Sequence, residues 1–284
     1  MRIAIYGVGV VGEAYAKAYE SVDHDVFRYD VKFEFPHYQN SLESARIEDL
    51  FSFRPEIIYI CLPTPSNPDG SCDISIIESE LSRLCETYLT GSCDTCVVIK
   101  STIPPGTCDY FVDKFDIDTE YFGHSPEFLK ERTSLYDAQN QGVLITGTYG
   151  DTLCRQRIEA TNLAFTQIGV HHLVPTESEI LKYYHNSFNA LRIIFAVQFA
   201  ELAEKMGVSY DVIKTAMIDS NNLIDEYLNV NPDLQGFAGP CLPKDTRSIV
   251  NFGESVGVDM SLVRECIKKN ETLSKTVLPG MREE

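Results

Sequence analysis

Four groups of residues in the 284-residue chain have the types and spacing that chemistry needs. The first surrounds Cys241, in the run Gly236, Phe237, Ala238, Gly239, Pro240, Cys241, Leu242, Pro243, Lys244, Asp245, Thr246. Pro243 suits the first turn of a helix reaching about Gly253, which puts Cys241 at the positive helix end with Lys244 one turn on. Both effects favour thiolate, and with Asp245 four residues further the pattern is that of an activated nucleophile. A small buried hydrophobe is the commoner fate of a free cysteine, but a glycine-rich loop bearing a cation suits one poorly. The second group is Gly7, Val8, Gly9, Val10, Val11, Gly12, a GxGxxG run between the apolar stretch 2–6 and a helix beginning near Glu13. Such glycines allow a tight turn and bring backbone amides close to a pyrophosphate. Asp30 follows about 20 residues later, where an acid accepts the adenosine ribose hydroxyls and disfavours the extra phosphate of NADP, so the pattern predicts NAD. The third group pairs Glu127 and Glu131 in Ser125, Pro126, Glu127, Phe128, Leu129, Lys130, Glu131; on a helix start the two acids share a face. Acids in a first helical turn are also ordinary dipole partners. The fourth is Lys182 and Asn186, again four residues apart, continued by Asn189 and Arg192. On most helices such a row is a solvated face, and here it suits a helix lining a wet pocket.

The elements that must carry these groups follow from periodicity. Over 1–175, short apolar runs alternate with amphipathic ones, which predicts a doubly wound α/β sheet with strands at 2–6, 25–29, 57–62, 95–100, 121–124 and 143–146. Two turns follow such strands: Cys61, Leu62, Pro63, Thr64, Pro65, and Lys100, Ser101, Thr102, Ile103, Pro104, Pro105, Gly106, Thr107. In an open parallel sheet these turns border the ligand crevice. At Thr176 the pattern changes. Thr176 and Glu179 have capping-box spacing, and Leu181, Tyr184, Phe188, Leu191, Phe195, Phe199, Leu202 and Met206 then recur every three or four residues. One long helix is predicted from Thr176 to a stop at Gly207, about 45 Å at 1.5 Å per residue. A small all-helical region follows, interrupted by a loop over 229–243. The predicted domains are therefore 1–175, a Rossmann-like dinucleotide-binding unit, and 176–284, the long helix with a helical unit carrying the cysteine loop.

Composition limits the rest. Hydrophobic residues make up 44% and charged residues 23%, so the chain is globular rather than disordered. A net charge of −18 repels polyanions and argues against nucleic-acid binding through a broad basic face. No apolar run approaches the roughly 20 residues of a membrane helix. Arg2 and the small residues Ala14 and Ala16 imitate a signal peptide, but the three glycines break its apolar stretch. Nine cysteines at irregular spacing suit reduced thiols in a cytoplasmic protein. Cys93 and Cys96 form a CxxC pair, yet a strand-like run follows them rather than a helix, and zinc would need two further ligands, so no metal site is predicted.

With these motifs in view, the chain resembles the UDP-glucose/GDP-mannose dehydrogenase family. The resemblance runs from the GxGxxG turn at Gly7 through the turn at Ser101, the SPEFLxE segment at Ser125 and the KxxxN helix at Lys182 to the GxxGxCLPKDT loop at Gly236. It implies oxidation of a sugar C6 alcohol to a carboxylate, most simply on UDP-glucose, with two NAD reduced per turnover. Carried over by residue, Cys241 holds the aldehyde as a thiohemiacetal and then a thioester. Lys182 and Asn186 stabilise the oxyanion, while Glu131, Asp245 and Thr102 orient water and move protons. The resemblance also implies that Gly7, Gly9, Val10, Val11, Gly12, Asp30, Pro63, Thr64, Thr102 and Lys244 line the NAD site. Glu127, Phe128, Leu129, Lys130, Lys182, Asn186, Gly236 and Gly239 would line the nucleotide-sugar site. It further implies a homodimer through the long central helix. Two departures stand out: Ala238 where the family usually has glycine, and an end at Glu284, before the third, nucleotide-gripping domain that the family ordinarily carries. Two rival readings remain at this stage. One is a two-electron hydroxy-acid dehydrogenase, because related folds also use a Lys and Asn pair on this helix. The other is a nucleotide-binding or regulatory subunit without turnover.

Overall fold

In the computed structural model, the residues described are 1–33, 42–86, 94–221, 224–231 and 235–273. The chain divides into two compact units, Met1–Pro65 with Asp73–Lys182, and Ser66–Cys72 with Tyr183–Glu284.

The first unit is built on a sheet of eight strands among the described residues: β1 (Arg2–Tyr6), β2 (Asp25–Tyr29), β3 (Glu43–Ser44), β4 (Ile57–Ile60), β5 (Cys96–Ile99), β6 (Phe122–His124), β7 (Gln141–Thr148) and β8 (Thr166–Leu173). Their order is β3-β2-β1-β4-β5-β6-β7-β8. Strand order reverses between β1 and β4, the switch point at which doubly wound sheets bind ligands. All pairs are parallel except β6 with β7, so the sheet departs from the purely parallel expectation at one antiparallel joint. Strands β1, β4 and β5 are buried on both faces, which is why each reads as an unbroken apolar run. Their two faces feed two cores. One gathers Ala4, Tyr6, Ile58, Val97 and Phe111, and the other Ile3, Ile5, Tyr15, Tyr19, Tyr59 and Val98. Crossover helices α1 (Val10–Glu20), α2 (Ile47–Phe53), α3 (Ser75–Cys85), α4 (Thr107–Phe115), α5 (Ser134–Gln139) and α6 (Leu153–Asn162) connect the strands.

Helix α7 (Pro175–Lys205) begins in the first unit and ends in the second. It starts one residue before the predicted Thr176 cap. The N-terminal carboxylate is Glu177, which accepts from Val174 N at 3.0 Å, while Glu179 is drawn elsewhere. Gly207, at φ +69°, ends the helix as predicted. The second unit adds α8 (Tyr210–Asn221), α9 (Leu242–Ser255) and α10 (Ser261–Glu271) around a core of Ala190, Ile194, Val197, Phe237, Cys266 and Leu273. No described helix is long and apolar enough to cross a membrane.

Candidate active site

The glycine loop after β1 is shaped by exclusion. Gly7 takes φ +96°, and a Cβ on Gly12 would collide with the carbonyl oxygen of Gly7, so the first turn of α1 lies directly against the turn that precedes it. Gly9 caps α1, and a Cβ there would meet no protein atom within 4 Å. The loop thus presents bare backbone at a helix N-terminus, the cradle a pyrophosphate needs. Val10 and Val11 form the first helical residues, so α1 begins three residues earlier than Glu13. Asp30, just past β2, accepts from Val8 N at 2.7 Å and from Lys32 N at 2.9 Å. Its carboxylate is therefore fixed beside the loop, as a ribose acceptor requires.

The turns after β4 and β5 are tied together. Thr64 donates to the carbonyl of Thr102 at 2.9 Å, and Ser101 donates to that of Leu62 at 2.7 Å. Thr64 is buried in the pairing, whereas Pro63 is exposed. The residues of this half fit NAD.

The segment after β6 corrects a sequence expectation. Residues 125–130 form an irregular extended run, followed by a single 3₁₀ turn at Glu131–Thr133, so Glu127 and Glu131 do not share a helix face. Local competition is the reason. The Glu127 carboxylate turns back to accept from Leu129 N at 2.5 Å, and Lys130 N is claimed by Asp137 at 2.9 Å. Glu127 also takes Lys182, whose ammonium donates to its carbonyl at 2.5 Å and to its carboxylate at 3.1 Å. The Phe128 ring lies 5.4 Å from the same ammonium, Leu129 packs on the sheet core, and Lys130 is exposed.

Lys182 is only 4% exposed, and Asn186 and Asn189 are likewise buried, so the polar row on α7 is not the solvated face its composition suggests. Within the second unit Asn186 donates to Asp245 at 2.5 Å, and Lys244 donates to the other oxygen of Asp245 at 2.6 Å. Asp245 is 1% exposed, so these hydrogen bonds are made out of water. Burial works against the charge on Lys244, but attraction by Asp245, then by Cys72 and Cys241, raises its pKa on balance. Cys241 is the N-cap residue of α9 and is exposed; its carbonyl accepts from Asp245 N at 2.8 Å. The helix start predicted from Pro243 is present. Of the CxxC pair, Cys93 lies outside the described residues, and Cys96 is buried in β5.

Three further residues bear on the site; Asn270 and His124 carry no local sequence signal, and Glu179 carries a misleading one. Asn270, on α10, brackets Phe237: it accepts from Phe237 N at 2.8 Å and donates to Phe237 O at 3.0 Å. A Cβ on Gly236 would strike that same side-chain oxygen, which explains a glycine there; Gly239, at φ +84°, bends the loop onward to Cys241. Glu179 is fully buried and accepts from Gly106 N at 2.5 Å and Cys108 N at 2.8 Å, capping α4 from 73 and 71 residues away. His124, at the end of β6, is also fully buried, with Nδ1 2.7 Å from Ser178 Oγ and Nε2 3.4 Å from Ser101 O. Only the three-dimensional neighbours of these side chains identify them.

A doubly wound sheet with a fixed glycine loop and an acid after β2, joined to a helical unit that presents a cysteine at a helix N-terminus, defines a dinucleotide-dependent dehydrogenase architecture. Comparison with known proteins is consistent with that. Residues 37–161 match the NAD binding domain of the UDP-glucose/GDP-mannose dehydrogenase family and residues 176–272 its central domain. The chain belongs to this family, and its cofactor is NAD. It is 26% identical over 300 residues to the UDP-glucose 6-dehydrogenase of Bacillus subtilis, covering 95% of this chain and 66% of that protein. It is 28% identical over 253 residues to the enzyme of the same description from Rickettsia prowazekii, covering 86% of this chain and 56% of the relative. Among solved structures, a UDP-glucose dehydrogenase from the archaeon Pyrobaculum islandicum superimposes with a TM-score of 0.81 at 27% identity, over 95% of this chain and 68% of that one. The chain thus spans between 56% and 66% of the length of these two curated relatives.

Proposed function

We propose that the protein oxidises the C6 alcohol of a nucleotide sugar, most simply UDP-glucose, to the carboxylate. The observation that carries this reading is the exposed Cys241 at the start of α9, backed by the hydrogen-bonded chain of half-buried Lys244 with buried Asp245 and Asn186. NAD supplies a hydride acceptor, used twice per sugar. Between those uses Cys241 keeps the half-oxidised carbon: its sulfur bonds to the aldehyde carbon while a proton moves to the carbonyl oxygen, giving a thiohemiacetal. Loss of the second hydride together with the hydroxyl proton leaves a thioester. Water then adds at that carbon, the carbon–sulfur bond breaks, and the thiol is regenerated. In sum, one alcohol, one water and two oxidised cofactors give one carboxylate, two reduced cofactors and three protons. Lys182 and the Asn186 amide are the donors for oxygen charge that develops along the way. Glu131, Asp245 and Thr102 are assigned to water orientation and proton movement, Lys244 to the cofactor side, and residues 127–130 with Gly236 and Gly239 to the sugar nucleotide.

The reading extends to location and assembly: a cytoplasmic homodimer formed through the exposed apolar row of α7. Free thiols at the eight described cysteines and the exposure of Phe195, Phe199 and Met206 support it.

Counting reduced NAD per UDP-glucose consumed tests the reading. Two equivalents are expected, with turnover falling by at least about a thousandfold in Cys241→Ser, as removal of a covalent nucleophile does elsewhere. One equivalent, or turnover that survives the substitution, would replace this reading by a two-electron dehydrogenase. NAD binding with no reduction of NAD by any nucleotide sugar would leave a binding subunit.

A further inference from the structure

Lys100 follows β5, is 2% exposed, and is among the largest fully buried side chains of the molecule. Its ammonium donates to the carbonyl of Ser125 at 3.1 Å and stands 4.1 Å from the ring centre of Tyr15 on α1 and 5.2 Å from that of Tyr59 on β4. Two residues further along the same segment, Lys182 donates to the carbonyl and carboxylate of Glu127. Two ammonium groups therefore grip carbonyls on either side of Pro126, and Ser125 N is pinned to Ile99 O at 2.9 Å. Two aromatic rings would seat an apolar side chain at least as well as a cation, because burying charge is costly. What the position gains from lysine is the charge and the hydrogen bond.

We propose that Lys100 is a positioning residue of this site: it fixes the Ser125 to Glu127 segment on which Lys182 rests, so that the two ammonium groups are held on one stretch of chain. The proposal builds on the role given to Lys182 above. The groups facing Lys100 are Cys61 beyond β4, Glu127, Lys182, His124 on β6, and the two tyrosines. Burial lowers Lys100 to about 8; Cys61 and Glu127 oppose the fall, and Lys182 adds to it. The repulsion between the lysines acts while both are charged, so it is read at Lys100, which loses its proton near 8. Burial also pushes the Cys61 thiol up to about 12, so that neighbour stays neutral while Lys100 titrates.

The test is a titration of lysine side chains by NMR of protein labelled at lysine Cε, assigned by substitution. In Lys182→Met the midpoint of Lys100 is expected to rise from about 8, and Lys182→Arg, which restores the charge, is expected to reverse the rise. In Lys100→Met, NAD affinity should stay within about twofold, while the rate of the first NAD reduction falls about tenfold or more, the usual effect of losing a hydrogen bond from a charged group. A Lys100 midpoint unmoved by Lys182→Met overturns the proposal, whatever happens to the melting temperature. Should Lys182→Met not fold, Lys182→Gln serves instead, with the same rise expected and the same constancy overturning the proposal. A wild-type protein that reduces no NAD with any nucleotide sugar defeats the functional reading, and the lysine midpoints still decide this one.

Discussion

At the scale of single residues, the buried titratable groups are where the molecule departs most from what its sequence suggests. His124 illustrates this. Burial, with Lys100 and Lys182 adding to it against the hydrogen bond donated to Ser101 O, lowers its pKa to about 3, so the folded protein holds it neutral. An unfolded chain takes up the proton near 6.5. Between about 6.5 and about 3 the unfolded state therefore binds one more proton at this position, and falling pH favours unfolding by up to about 1.4 kcal/mol per unit. Replacing His124 with Asn should remove that part of the slope. Urea unfolding of both proteins at several pH values between 7 and 5, followed by circular dichroism, measures it; parallel slopes would show that His124 is not responsible. Nothing around His124 in the chain predicts this, because the residues that enclose it come from β5, β6 and α7. Cys241, Asp30 and the loop glycines were legible for the opposite reason. Each depends on the turn or helix end in which it sits, and a helix start or a strand followed by glycines is a local pattern.

At the scale of elements, strands buried on both faces were readable as apolar runs, and β8 was not: Ile168 is 80% exposed and the strand is held by pairing to β7 rather than by burial. The start of α7 was misplaced for a related reason. Glu179 looks like a capping residue of its own helix but serves the N-terminus of α4 instead, a choice fixed by distant chain. The same kind of long-range support holds the nucleophile loop, where α10 reaches back through Asn270 to both backbone groups of Phe237. Asn270→Ala would leave a buried N–H and a buried carbonyl unpaired, at about 1–3 kcal/mol each. A fall in melting temperature of several degrees is expected, together with faster alkylation of Cys241 as the loop from 236 to 241 loosens. Thermal melts and a timed thiol-labelling assay would check both, and a variant equal to the wild type in both would remove α10 from any part in holding the loop.

At the scale of the whole molecule, a surface carrying a net charge of −18 should resist self-association unless an apolar area outweighs the repulsion. Helix α7 offers one. The residues whose spacing announced the helix, Tyr184, Phe188, Phe195, Phe199, Leu202 and Met206, prove to be largely exposed, whereas its core contacts come from Tyr183, Ala190, Ile194, Val197 and Ala203. Periodicity alone could reveal an apolar face but not what covers it. The rings on this face pair along the helix, Tyr184 with Phe188 at 6.2 Å and Phe195 with Phe199 at 4.6 Å, so they form two clusters rather than scattered side chains. Val212, Ile213 and Met217 of α8 are exposed as well. Monomeric proteins seldom leave patches above a few hundred Å² uncovered, and a helix face meeting its own copy across a two-fold axis covers both at once. The homodimer proposed above would cover the face in this way. Sedimentation equilibrium should return twice the 32.0 kDa chain mass for the wild type. In Phe199→Asp, which sets a charge in the strip of each copy and opposes like charges near the axis, the single-chain mass is expected. A monomeric wild type, or a dimer that persists in Phe199→Asp and in Phe195→Asp, would mean that this face meets something other than itself.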